Sequence, residues 1–120
     1  MKYLVFLILL FFTRLSYSVE RTDAFVIRIY EDKFKVVSPK KYDPKMNLII
    51  ENMTLVKIIG RVETLSGKVI ENVAIKSSKF KSVELKVGKE DSVVFTPLVP
   101  AAQSIQLEYN RKPYEIPPKK

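Results

Sequence analysis

No cysteine, no histidine and no tryptophan occur in this chain, and glycine occurs only three times, at Gly60, Gly67 and Gly88. Each absence excludes a class of chemistry. Without histidine the commonest general base is missing, and without histidine or cysteine so are the usual zinc ligands and the thiol nucleophile. A blue-copper centre needs both residue types, so copper electron transfer is excluded whatever the scaffold. Three scattered glycines cannot build a phosphate-cradling loop, and none belongs to a G-x-S-x-G elbow. Adjacent carboxylates occur only at Glu31-Asp32 and Glu90-Asp91, both in turn-like stretches, where acids are ordinarily solvated rather than metal ligands or glycosidase acids. The expectation is a protein that is not an enzyme and holds no cofactor and no metal.

Residues 1–18 have the pattern of a signal peptide. Lys2 supplies the positive start, Tyr3 to Phe12 is an unbroken apolar run of ten residues, and Ser16-Tyr17-Ser18 brings small residues to the cleavage region. A bilayer span takes about 20 apolar residues, so this run is too short for one. Arg14 is atypical so close to a cleavage site and leaves an N-terminal membrane anchor as the alternative. With no cysteine to carry a lipid, the product is not a lipoprotein. Cleavage after Ser18 leaves Val19 to Lys120, 102 of the 120 residues, which is the size of one domain. An exported domain without disulfides is held by packing alone, which points to a bacterial protein of the periplasm or the medium.

In the remaining chain, residues 19–23 are polar and expected to be flexible, residues 24–116 carry the domain, and 117–120 form a tail. Ala24 to Tyr30 alternates, with Phe25, Ile27 and Ile29 on one side and Arg28 on the other, as a strand does. Phe34 to Val37 is a second strand, and Met46 to Asn52 a third. A long hairpin follows, closed at Ser66-Gly67. If those two residues are the loop, Leu65 faces Lys68 and counting outward sets every later pair. One face then collects Val56, Ile58, Gly60, Val62, Val69, Val73 and Ile75, and the other collects charge, with Ile59 and Ile70 as apolar exceptions. Glu71 falls on the apolar face, which calls for a bulge at Glu71-Asn72 or a place at the sheet rim. Lys81 to Val87 alternates again. Gly88-Lys89-Glu90 reads as a three-residue turn with Gly88 left-handed, pairing Leu85 with Val93 and Val83 with Phe95. Pro97 to Pro100 breaks that strand, Ser104 to Tyr109 forms the next, and Pro113 to Ile116 is a short edge strand.

No segment beyond the leader has helical periodicity, and strands recur about every ten residues, the rhythm of a sandwich. The expected fold is all-β, an antiparallel β-sandwich of about seven to eight strands. In strand number and length it resembles immunoglobulin-like and cupredoxin-like sandwiches, without the Cys and Trp markers of true immunoglobulin domains. Ile58, Val73, Leu85, Phe95 and Leu107 are the expected core.

Function is left to charge and to apolar residues out of pattern. The 21 basic residues less Lys2 and Arg14 leave 19 against 13 acidic ones, a net charge of +6 on the exported chain. The candidate anion contacts are Lys40, Lys41, Lys45, Lys79 and Lys81, for an anionic envelope polymer or lipid head group, although a solvated basic surface accounts for the same residues. Nucleic acid is not an expected partner, since neither an RNA-binding aromatic motif nor a basic helix is present. Pro97-Leu98-Val99-Pro100-Ala101-Ala102 is apolar without alternation. Leu98 and Val99 either cover the open end of the sandwich or form a contact for a protein partner. The expected role is therefore a binding module or structural component of the cell envelope. Asn52-Met53-Thr54 matches a glycosylation sequon, a short pattern common by chance.

Overall fold

Short stretches of alternating residues become nine strands in the computed structural model, which describes residues 24–118. In chain order these are β1 (Ala24–Ile29), β2 (Phe34–Val37), β3 (Asn47–Asn52), β4 (Ile58–Thr64), β5 (Val69–Ile75), β6 (Phe80–Glu84), β7 (Val93–Val99), β8 (Ile105–Leu107) and β9 (Tyr114–Ile116). There is no helix among the described residues. The expected signal peptide, residues 19–23 and Lys119-Lys120 lie outside them.

One sheet has the order β6-β3-β1-β2-β9 and the other β5-β4-β7-β8. Phe25, Ile27, Leu48, Ile50 and Val83 of the first meet Ile58, Val62, Val73, Phe95 and Ile105 of the second in a single buried cluster. The expected core residues Ile58, Val73, Leu85, Phe95 and Leu107 all lie in it. The fold is thus an all-β sandwich, with two corrections to the expectation. There are nine strands rather than seven to eight, and the sandwich is not wholly antiparallel, because β1 and β3 run parallel with Phe25 beside Leu48 and Ile27 beside Ile50. β2 and the 38–46 loop supply the crossover that a parallel pair needs. Lying between β3 and β2, β1 buries its second face as well: Ala24 and Val26 pack there with Ile49 and Val37. Arg28 is the exception in β1, and its Nε donates to Glu51 Oε2 on β3 at 2.8 Å.

The hairpin register is right over most of its length for a reason counting does not show. Ile58 faces Ile75, Gly60 faces Val73 and Val62 faces Glu71, the pairs a two-residue loop implies. The loop nonetheless has three residues: Thr64 N–H donates to Lys68 O at 2.8 Å, and Gly67 N–H donates to Thr64 O at 2.9 Å. Ile70, skipped between Val69 and Glu71, is an extra residue in β5 that restores the register. The bulge lies next to Glu71 rather than at Glu71-Asn72, and it reverses the alternation, so Val69 is exposed and Ile70 packs on the core. Glu71 sits on the edge strand and reaches Lys81 Nζ of β6 at 3.5 Å.

Gly67 closes this loop with φ +102° and nothing within 4 Å of where a Cβ would stand. A substitution there meets backbone strain alone. Gly67→Val is expected to cost about 1–2 kcal/mol, the penalty of a side chain at positive φ, read as a lower urea midpoint with an unchanged slope. An unchanged midpoint would contradict the loop conformation.

The expected hairpin between residues 81–87 and 93 onward does not form. β6 pairs with β3, Val83 facing Leu48, and Leu85 N–H continues that pairing to Met46 O at 2.9 Å. β7 pairs with β4 and β8 in the other sheet. Residues 85–92 therefore cross from sheet to sheet, and Gly88 opens a turn closed by Asp91 N–H to Gly88 O, without positive φ. Nor does Pro97 end its strand, since β7 runs to Val99. Pro97 O accepts from Ala102 N–H on the β8 side, so the missing N–H of Pro97 falls on that side as well. There the β8 ladder has already stopped at Ile105, and no bond is lost.

The strands define two ends. β1 begins at a basal end, shared with loops 38–46, 65–68, 85–92 and 108–113. The apical end holds turn 30–33, loop 53–57, turn 76–79 and loop 100–104, and β9 leads to Pro118 there.

Candidate functional site

The apical end is organised by one side chain. Asn52 closes β3 and is fully buried. Its Oδ1 accepts from Thr54 N–H at 2.9 Å and Thr54 Oγ1 at 2.6 Å, and its Nδ2 donates to Val56 O at 2.8 Å and Ile75 O at 2.9 Å. Two donors and two acceptor sites are thereby used. Both amide N–H groups are bound inside the fold, so the sequon marks a structural asparagine. With loop 53–57 folded over Asn52, its polar atoms turn inward. Met53 N–H also donates to Ile29 O, and Leu55 N–H to Glu31 Oε1 at 2.9 Å.

Apolar side chains are left outside. Leu55 is 87% exposed, and Val56, which was expected on the inward face, is exposed beside it. Across the end, Val99 faces Ile59, and Leu98 is an extra residue between the Val99–Ile59 and Pro97–Gly60 pairs. Val99 is 55% exposed and Leu98 also reaches solvent. Of the other large exposed apolar residues, Met53 is at this end too, Leu65 is in the hairpin loop with Val69 just after it, and Phe80 stands on edge strand β6. Between loops 53–57 and 100–104 lies a cleft of about 100 Å³, lined by Tyr30, Phe34, Val56, Pro97, Pro100 and Ala102 among others. Pro118 also lines it, with its carbonyl bound by Gln103 N–H.

The candidate contacts Leu98 and Val99 are thus placed beside Ile59, at the same end of the fold as Leu55 and Val56. Of these three, Ile59 could be noticed as an apolar residue on the charged face of β4; Leu55 and Val56 could not, because Asn52 decides their exposure.

The five candidate lysines are not brought together. Lys40, Lys41 and Lys45 share the basal loop 38–46, Lys79 is in the apical turn 76–79, and Lys81 is on β6 in an ion pair with Glu71. At the basal end Tyr42 Oη donates to Val87 O at 2.9 Å and Asn110 N–H to Pro39 O at 2.8 Å, which joins loops 85–92 and 108–113 to 38–46. Lys86, Lys89, Arg111 and Lys112 are in these loops, but so are Asp43, Glu90, Asp91 and Glu108, and Glu84 ends β6 next to them. Burial, with Tyr42 and Asp43 nearby, raises the Tyr109 hydroxyl above its ordinary pKa. Among the described residues no three His, Cys, Asp or Glu side chains come together as a metal-ligand set.

Comparison with known proteins finds no matching family model, curated relative or solved structure.

Proposed function

We propose that this chain is a non-catalytic binding module of the bacterial cell envelope, exported to the periplasm or beyond, whose working surface is the apical end. The observation that carries this reading is the crowding of exposed apolar residues at the apical end: Val56 lines the cleft there, Leu55 precedes it in loop 53–57, and the paired Ile59 and Val99, with Leu98, lie at the same end of the second sheet. Contiguous apolar surface on a soluble domain marks contact sites, and loops at the end of a sandwich are where such sites are built. Strand pairing at an edge is a weaker route. β5 has a bulge and the inward Glu71, β6 has the inward Lys81, β8 has three residues, and β9 lies between Pro113 and Pro117. Short edges, bulges, inward charges and flanking prolines all oppose added strands.

The alternative, anionic polymer or lipid head groups on the basal lysines, has the joined loops in its favour and the five carboxylates at that end against it. In strand order the parallel β1–β3 pair sets the sandwich apart from immunoglobulin-like sheets, in which neighbours are antiparallel, and favours the cupredoxin-like type, here without copper ligands.

The test is the double variant Leu98→Ser/Val99→Ser, with a photo-crosslinking residue at position 55 or, as control, at Gln106 on the opposite stretch of the second sheet. Because both side chains reach solvent, stability is expected to change by less than about 1 kcal/mol. Crosslinking in the native envelope is expected from position 55, not from 106, and lost in the double variant. A loss of several kcal/mol would make Leu98 and Val99 core cover instead, and crosslinking from 106 alone would move the surface elsewhere.

A further inference from the structure

We infer that the segment received by the apical end is acidic as well as apolar: an extended stretch of a partner protein with one apolar side chain for the cleft and carboxylates on one flank. This rests on the apical reading and adds the chemistry of the occupant. A cleft of about 100 Å³, lined mainly by aromatic, proline and aliphatic side chains with Glu31 and Thr54 as its polar members, has room for one apolar side chain rather than a folded ligand.

The charge at this end is divided, with lysines on one flank of loop 53–57 and the carboxylates of turn 30–33 on the other. Lys57 directly follows Val56, and Lys76 and Lys79 bound the turn that closes on itself through Lys79 N–H to Lys76 O at 3.1 Å. That turn is fastened to the apolar loop by Ser77 Oγ to Thr54 O and by Ser78 N–H to Asn52 O. Lys57, Lys76 and Lys79 are exposed, and none forms an ion pair among the described residues. On the opposite flank, turn 30–33, Glu31 lines the cleft and accepts from Leu55 N–H, Asp32 is exposed without an ion pair among the described residues, and Lys33 is paired with Glu115 Oε2 at 3.4 Å. Three unpaired cations on one flank of the loop that borders the cleft, with Glu31 and Asp32 on the other flank, complement carboxylates on one side only of an apolar anchor and set the direction in which the segment lies.

Two fluorescent nonapeptides test this on the full chain. Each has a central Phe-Leu pair; one carries three glutamates on one side of it, and the other glutamines in their place. At about 50 mM salt the acidic peptide is expected to bind at least about tenfold more tightly, as three exposed ion pairs allow, and to lose that advantage at about 0.5 M salt. The variant Lys57→Glu/Lys76→Glu/Lys79→Glu is expected to remove the preference while leaving the glutamine peptide's affinity within about threefold. Equal binding of the two peptides, lost in Leu98→Ser/Val99→Ser, would overturn the acidic partner and leave the apical surface standing. Acidic-peptide binding that survives Leu98→Ser/Val99→Ser and disappears in Lys40→Glu/Lys41→Glu/Lys45→Glu would overturn both. No binding of either peptide at about 1 mM would overturn the extended-segment occupant, while crosslinking from position 55 would still report on the surface itself.

Discussion

Truncating Phe95 to alanine is expected to destabilise the domain by about 3–5 kcal/mol, the range for removing a buried ring. Phe95 is fully buried in β7, between Val62 of β4 and Ile105 of β8. Its ring also lies over Gly60, where an added Cβ would stand 2.5 Å from Cε1 and 2.7 Å from Cζ. A domain of this size has a total stability of about 5–15 kcal/mol, so Phe95→Ala is close to unfolding it. The contact gives the prediction a second part. Gly60→Ala in the parent should cost about 1–3 kcal/mol through overpacking, and Phe95→Leu should relieve part of that cost. Urea denaturation of the two single variants and the double variant measures this. Strict additivity would mean that ring and glycine do not meet.

Asn52→Leu is the second large effect. The side chains are similar in size, but leucine leaves Thr54 N–H and Ile75 O without their partners in the interior. Each orphaned group costs about 1–3 kcal/mol, and a total loss on the order of 3 kcal/mol or more is expected. The same change releases loop 53–57, so binding through Leu55 and Val56 should weaken further than the stability loss explains when both are measured below the unfolding midpoint. If Asn52→Leu melts with the parent, the four hydrogen bonds are not what shapes this end.

Local pattern carries the strands and the inward faces of most of them, because a half-buried strand writes its burial into alternate residues. The Ile58–Val62 pairing with β5 could be counted outward from Ser66-Gly67 because the extra loop residue and the bulge at Ile70 cancel. Partner choice is different. Val83 and Phe95 both point inward and look like a hairpin pair across Gly88, yet they belong to different sheets. Which strand lies beside β6 depends on Leu48, far away in the chain. The parallel β1–β3 pair was hidden for the same reason. At the site, Leu98 and Val99 stood out because they interrupt the alternation. Leu55 and Val56 follow an asparagine whose burial no local pattern announces, and the lysines could be counted but not assigned to an end.

Because β1 starts at the basal end and Pro118 lies against the apical cleft, the two ends of the domain are unequal as attachment points. A bead, surface or fluorescent protein joined ahead of Ala24 holds the module with its cleft facing outward. The same cargo fused after Lys120 has only two residues between it and Pro118, and would stand over the cleft as a steric block. Immobilising the protein by one terminus and then by the other turns that geometry into an on–off control for every binding measurement.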